Sequence, residues 1–443
     1  FFPERRTFFL NGTDVFSFGA FGASQPFFSR RIGLTAEGKE VPLYGGFKLY
    51  SRAGKLRYGL LSTLSGQADD DPLGSSTVAR ARYEIKDGFI GFILTHQREV
   101  PSADISIYET GFGVDLSQRF FNKKLELSAA YSGFVNEESD FSNATPLLEM
   151  SDDSSESVDL PQSINLEATW RGEDYQTNVS ALYVDEDYNP RLGFVRRTGV
   201  VATRAQVTRV FYKPLGLNRF TLGPFVELSW DDSLSQSLDR KGDFGFGLVS
   251  ETGWQLNGAA GYLERVVNRD GFAWASIEIA QGAYSGPNGF LRVTTPYAGA
   301  RVRGGVRYQY DGAFFGGVSH SLNSFADLSL SRYLRLKIDY VYSNFDVRSG
   351  GREGDGQEQA WNTAVAVTPT TTLQVDLVGQ LNTQADLGIA MARLRWRWAP
   401  GSDLFLVYRA RIPLEEMAIM GEPTPQREDQ LMFKIVWRND ILF

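Results

Sequence analysis

Residues 429–443 alternate in a way that only an extended strand can exploit. Leu431, Phe433, Ile435 and Trp437 share one side, and Met432, Lys434, Val436 and Arg438 fall between them. Successive strand side chains point to opposite faces, so this stretch has one face suited to oil. The same alternation recurs along most of the chain. Leu125, Leu127, Ala129, Tyr131, Gly133 and Val135 form one such face, and Ile164, Leu166, Ala168 and Trp170 another. Phe220, Leu222, Val226, Leu228 and Trp230 repeat it, as do Leu334, Leu336, Ile338, Tyr340 and Tyr342. Leu373, Val375, Leu377 and Leu381 follow, then Leu404, Leu406, Tyr408 and Ile412. The opposite faces are polar or small, as in Asn165, Glu167 and Thr169, or Arg335, Lys337 and Asp339. No stretch carries a helical period strong enough to assign a helix.

Hydrophobic residues make up 42% of the 443-residue chain. No uninterrupted apolar run reaches the roughly 18 residues of a membrane helix, which excludes transmembrane helices. A transmembrane barrel escapes that test, because only every second strand residue meets lipid. An aromatic content of 13%, 45 glycines and no cysteine fit such a barrel. The net charge of −8 argues against nucleic acid as a partner. The chain opens on Phe1-Phe2-Pro3 with no signal peptide, as expected of a mature or truncated product. Acidic residues gather between strands: eight fall within 137–159 with no basic residue, and Asp69-Asp70-Asp71 makes a smaller cluster. Many arginines fall inside strands instead.

Connection lengths alternate. Short turns are expected at 52–55, 86–88, 121–123, 172–174, 213–218, 332–333, 369–371 and 399–402. Longer loops are expected at 66–76, 99–108, 136–161, 186–196, 233–240, 347–358 and 413–428. Short periplasmic turns opposite long extracellular loops are the pattern of a transmembrane barrel. The expected fold is therefore all-β: a single transmembrane antiparallel β-barrel of about 22 strands, with about 20 as the alternative. It spans residues 27–443. Parity requires an upward strand before the 52–55 turn, expected within 27–34, and Gly and Pro blur the pattern at 268–300. Residues 1–26 form an N-terminal segment, either tucked into the lumen or serving as a periplasmic linker.

Aromatic residues cluster near strand ends. Trp170, Trp230, Tyr340, Tyr342, Trp396, Trp398, Tyr408 and Trp437 are expected to face lipid or form headgroup-level girdles. Cross-strand packing is the alternative. A closing strand that ends on Phe443 resembles the C-terminal signature of bacterial outer-membrane barrels. That resemblance implies an outer-membrane location among lipid and lipopolysaccharide, with delivery by the barrel-assembly machinery through this strand.

Three separated stretches carry a wider resemblance. They are Phe1-Phe2-Pro3-Glu4-Arg5-Arg6-Thr7-Phe8-Phe9-Leu10-Asn11-Gly12, then Pro26-Phe27-Phe28-Ser29-Arg30-Arg31-Ile32-Gly33. The third is Arg395-Trp396-Arg397-Trp398-Ala399-Pro400-Gly401-Ser402-Asp403-Leu404-Phe405-Leu406-Val407-Tyr408. The chain resembles, over nearly its whole length, a family of bacterial outer-membrane barrels that often carry an N-terminal domain similar to family-nine carbohydrate-binding modules. The resemblance implies that such a domain would lie before Phe1. It brings no reaction and no catalytic residue, because the shared motifs look architectural.

Arginine ladders are the best candidates for function. Arg393, Arg395 and Arg397 share a strand face opposite Leu394, Trp396 and Trp398. Arg301, Arg303 and Arg307 share another, and Arg80 with Arg82 and Arg409 with Arg411 repeat the theme. If the apolar faces meet lipid, these arginines line the lumen, where they would favour anionic or hydroxyl-rich solutes. The alternative is pairing with inward carboxylates such as Glu84, Asp115, Glu126, Glu167, Asp339 and Asp376. Acidic loops lack the spacing of a defined Ca²⁺ loop, so no metal is expected. No cofactor fingerprint occurs. The two histidines, His96 and His320, give no hydrolase arrangement, since Ser319 and Ser321 fall on the face opposite His320. The expected function is a porin-like channel or transporter for small polar solutes, related by resemblance to carbohydrates. A non-conducting scaffold for a periplasmic or surface protein partner is the alternative, and a surface hydrolase the remotest reading.

Overall fold

A computed structural model describes residues 7–10, 12–19, 24–34, 41–66, 74–102, 105–140, 160–267, 273–274, 277–296, 301–383, 387–399, 401–413 and 427–436. These residues carry 25 strands, four of them only two residues long. The other 21 join one antiparallel sheet that closes as a barrel. The two helices of the described residues have four residues each, and none is long and apolar enough to cross a membrane. Strand contacts divide the chain into two units, Phe1–Thr208 with Val226–Asp239, and Arg209–Phe225 with Arg240–Phe443.

The first unit is built on a meander of Leu43–Ala53, Leu56–Ser65, Gly74–Ile85, Gly88–Ser102, Ile105–Phe120, Leu125–Asp140, Gln162–Arg171 and Tyr175–Val184. Alternation decides which face is which. Along Gly88–Ser102, Phe92 and Leu94 are 56% and 51% exposed, while Ile93 and Thr95 are 3% and 2% exposed. Leu60, Leu64, Leu116 and Leu127 continue the exposed apolar face on neighbouring strands. Each exposed leucine side chain would cost about 1.5–3 kcal/mol in water relative to an apolar medium, so a continuous face of them fits hydrocarbon.

The second unit continues with Gln255–Val267, Gly282–Thr294, Val302–Phe314, Gly317–Ser329, Leu334–Ser349, Arg352–Val367, Leu373–Asn382, Leu387–Ala399, Ser402–Pro413 and Glu428–Val436. Its exposed face carries Leu291, Val293, Val306, Leu377, Trp396, Leu406 and Leu431. Cross-strand aromatic contact adds to the ladder, with the Tyr340 and Trp361 rings 4.0 Å apart. Such pairs contribute about 0.5–1.5 kcal/mol beyond burial.

Several expectations need correction. Residues 27–34 do not form the upward strand that parity required; Ser29–Arg31 is a single 3₁₀ turn. Phe27 and Ile32 are drawn into a buried inward cluster, so they cannot serve a lipid-facing strand. The sheet has 21 long strands among the described residues, in keeping with the expected count of about 22. The loop expected at 99–108 is mostly ladder: Glu99 still pairs with Ile107 and Ser102 with Ile105, across a register shift at Val100 and Pro101. Proline lacks the N–H that a ladder needs, which fits a bulge there. The loop expected at 347–358 is a two-residue hairpin. Gly350 and Gly351 take φ of 60° and 77°, the left-handed pair of a tight turn, and Ser349 pairs with Arg352. Residues 414–426 of the expected 413–428 loop, most of 136–161, Trp437 and Phe443 lie outside the described residues.

The facing assignment is testable at Leu94. Leu94→Arg should destabilise the protein in lipid vesicles by about 2–4 kcal/mol in a urea titration if the site is near the bilayer midplane. A midpoint equal to that of the parent protein would reverse the assignment.

Candidate functional site: the inward faces

In the first unit the inward face is covered by the N-terminal segment. Thr7–Leu10 and Thr13–Phe16 form single helical turns. Phe9, Val15, Phe16, Phe18 and Ile32 are buried with Leu61, Val78, Ile93 and Ala130, the inward residues of four strands. Glycines make room for the rings. A Cβ on Gly59 would lie 2.7 Å from Phe16 Cζ, and one on Gly113 would lie 2.6 Å from Phe18 Cζ. No methyl group fits at either distance without displacing the ring.

A buried ion pair sits beside Phe18. The Arg80 and Asp115 side chains are 0% and 3% exposed and approach to 2.7 Å. Arg80 Nη2 donates to Asp115 Oδ2 at 2.8 Å, and Arg80 Nε donates to the Ser17 carbonyl at 3.1 Å. The Gly19 amide donates to Asp115 Oδ2 at 3.2 Å. The guanidinium lies 5.4 Å from the Phe18 ring centroid. Both charged groups therefore spend part of their hydrogen-bonding capacity on the segment. Gly91 is required here as well, since its Cβ would lie 2.3 Å from Asp115 Oδ1. Lys48 Nζ adds a further tie, donating to the Phe8 carbonyl at 3.1 Å.

The connection between Val184 and Val200 folds onto the same unit. Ser24 and Gln25 pair with Val195 and Phe194, and the Phe28 amide donates to the Leu192 carbonyl at 2.7 Å. The Arg191 amide donates to Glu109 Oε1 at 2.8 Å, and the Arg191 guanidinium pairs with Glu99. Tyr188 is buried, its hydroxyl 2.7 Å from Ser132 Oγ, and burial pushes that hydroxyl up to about 12.

The inward face of the second unit is different: it is lined with ion pairs whose carboxylates are buried and whose arginines are partly exposed. Arg395 makes a two-pronged bond to Asp403, with Nε and Nη2 each 2.9 Å from a carboxylate oxygen. Arg397 Nε donates to the same carboxylate at 3.1 Å. Arg393 holds Asp376 at 2.6 Å. Arg303 and Arg335 both clamp Asp327. The side chains of Arg393, Arg395 and Arg397 nonetheless remain 29%, 30% and 42% exposed.

The remaining expected residues fall as follows. Arg82 stacks on Phe89 at 3.5 Å, Arg307 on Phe290 at 4.4 Å, and Arg411 lies 4.0 Å from Glu428. Arg409 stands opposite Met391 in the register. Arg301 lies in a bend immediately before Val302–Phe314, where its carbonyl accepts from the Ser329 amide. Trp170, Trp396, Trp398 and Tyr408 are exposed, and Trp396 and Trp398 lie 6.2 Å apart. Trp230, Tyr340 and Tyr342 are partly buried. His96 Nδ1 meets Thr110 Oγ1 at 3.1 Å and His320 Nδ1 meets the Tyr308 hydroxyl at 2.6 Å. Among the described residues no group of His, Cys, Asp and Glu could hold a metal ion. Arg292 was missed in the sequence because Gly286, Pro287 and Gly289 mask the alternation of its strand. Extending the pattern back from Leu291 and Val293 would have exposed it.

This architecture has solved counterparts. The siderophore receptor PirA from Pseudomonas aeruginosa matches with a TM-score of 0.55 and 10% identity, over 87% of this chain and 75% of that one. The FrpB iron transporter from Neisseria meningitidis gives 0.48 and 9%, over 80% and 69%. The ferric-catecholate receptor Fiu from E. coli K12 gives 0.45 and 10%, over 94% and 74%. No family model and no curated relative matches the sequence. The chain has the fold of an outer-membrane β-barrel. Its exposed apolar face fits that membrane.

Two outcomes follow from the first unit. Asp115→Ala leaves Arg80 charged and buried without its counter-ion, which should cost about 3–5 kcal/mol. Limited chymotrypsin digestion should then cut at Phe16 or Phe18, and protection equal to the parent would mean the pair does not hold the segment. For Tyr188 the folded state keeps its proton longer than the unfolded chain does. Its contribution to stability is thus full below the ordinary value of 10.0 and is lost as pH rises toward about 12. The ultraviolet titration difference between the parent protein and Tyr188→Phe should have its midpoint near 12, and a midpoint at 10.0 would show the hydroxyl to be solvated.

Proposed function

We propose that this chain passes small polar solutes across the outer membrane through a hydrated interior. The observation that carries this reading is the ladder of Arg393, Arg395 and Arg397. These side chains sit on the face opposite Leu394, Trp396 and Trp398, pair with Asp376 and Asp403, and still meet solvent. An ion pair in dry protein would be costly, whereas one beside water keeps much of its hydration. A row of hydrated, mixed-sign groups suits hydroxyl-bearing and weakly charged solutes rather than apolar ones. The sequence resemblance to barrels that carry carbohydrate-binding-like domains supports sugars as a solute class. That support is associative rather than chemical.

The N-terminal segment covers the inward face of the first unit, which restricts passage along that face. Transport of polar solutes past it would require either a bypass or its displacement. The expectation is a measurable but restricted conductance in a planar bilayer, with liposome swelling in small polyols. Replacing Arg393, Arg395 and Arg397 together with Gln leaves Asp376 and Asp403 uncompensated, so the reversal potential in a salt gradient should shift toward cation selectivity. Silence in both assays from protein that folds normally would instead support a scaffold that anchors a partner.

A further inference from the structure

We propose that Arg292 and Arg307 form an oxyanion-binding site on the inward face of the second unit. The two residues stand directly opposite each other in the register of Gly282–Thr294 and Val302–Phe314. Their strand neighbours Leu291, Val293, Val306 and Tyr308 are exposed on the apolar face, so both arginines point the other way. Like charges at directly opposed positions destabilise a sheet. Elsewhere in this unit inward arginines answer that problem with carboxylates: Arg265 with Asp311, Arg303 and Arg335 with Asp327, and Arg393 with Asp376. Arg292 and Arg307 have no carboxylate among the described residues, although the chain as a whole carries a net charge of −8.

The surroundings are arranged for a guest rather than for a counter-ion of the protein. Arg307 lies 4.4 Å from the Phe290 ring centroid, and its Nη2 donates to Gln309 Oε1 at 3.1 Å, so its plane is fixed. Its Nε is buried and makes no hydrogen bond. Neutral amides flank the pair, with Asn257 opposite Arg292 on one side and Asn323 opposite Arg307 on the other. Two guanidinium groups and neighbouring amide donors match the several acceptor oxygens of a phosphate or carboxylate. Chloride, with no fork geometry to match, gains much less. The site deepens the transport reading, because it names oxyanions as a solute class, but binding itself does not depend on conduction.

The test uses the full chain in detergent micelles titrated with inorganic phosphate, with chloride as the comparison, by calorimetry and thermal unfolding. Saturable phosphate binding and a phosphate-dependent rise in melting temperature are expected. Arg292→Gln and Arg307→Gln should each weaken binding by about tenfold or more, since each removes one charged fork. Arg307→Lys keeps the charge but loses the fork, and should weaken binding relative to the parent protein. Arg332→Gln removes an equal charge from an exposed turn and should leave binding unchanged. In phosphate-free buffer Arg292→Gln should melt at or above the parent temperature, because a repulsion is gone. No saturable binding, equal loss in Arg332→Gln, or a lower melting temperature for Arg292→Gln would overturn the site. Intact binding in a barrel that conducts nothing would leave the site standing and remove the transport reading instead.

Discussion

A backbone that crosses hydrocarbon must satisfy every N–H and C=O within the protein, because no water is there to do it. For strands the solution is a sheet without free edges, and that constraint orders everything else in this chain. A sheet facing oil on one side can place charge only on the other. The two-residue period thus becomes a sorting device, sending Leu94 one way and Thr95 the other, or Trp396 one way and Arg395 and Arg397 the other. The same device explains why 45 basic and 53 acidic residues coexist with a continuous apolar face.

Charge on the inward face is stable only when it is compensated, and the two units do this differently. In the first, Arg80 and Asp115 are sealed from water and share their remaining donors and acceptors with Ser17 and Gly19. Such a pair contributes little net stability but makes the loss of either partner severe, so it specifies position. Glycines 59, 91 and 113 serve the same end by removing the side chains that would collide with Phe16, Asp115 and Phe18. In the second unit the arginines stay partly exposed while buried carboxylates such as Asp403 are held between two of them.

Much of this was legible in the sequence because alternation is a local property. The apolar faces of 125–135, 164–170 and 404–412 needed only the order of residues. The arginine ladders were legible for the same reason, and so were most short turns. What failed were questions that local order cannot answer. A run of polar residues at 347–358 reads equally as a loop or as strand extending beyond a membrane, and only the left-handed pair Gly350 and Gly351 closes it as a hairpin. Phe27 and Ile32 have the composition of a strand, but their burial against Leu61, Val78 and Ile93 is a long-range fact.

Arg292 shows how local and long-range information combine. Its residue type is visible in the sequence, yet its meaning depends on facing Arg307 across a ladder whose register no single strand contains. Asp327 draws Arg303 and Arg335 together because a carboxylate lies at that register. Four residues along the same strand, at Asn323 opposite Arg307, the side chain is a neutral amide instead. An aspartate there would have neutralised the Arg292–Arg307 pair and closed its forks. With an amide, the positive charge stays available, held in plane by Phe290 and Gln309. The selectivity of such a face is therefore set less by how many arginines it carries than by the positions from which carboxylates have been withheld.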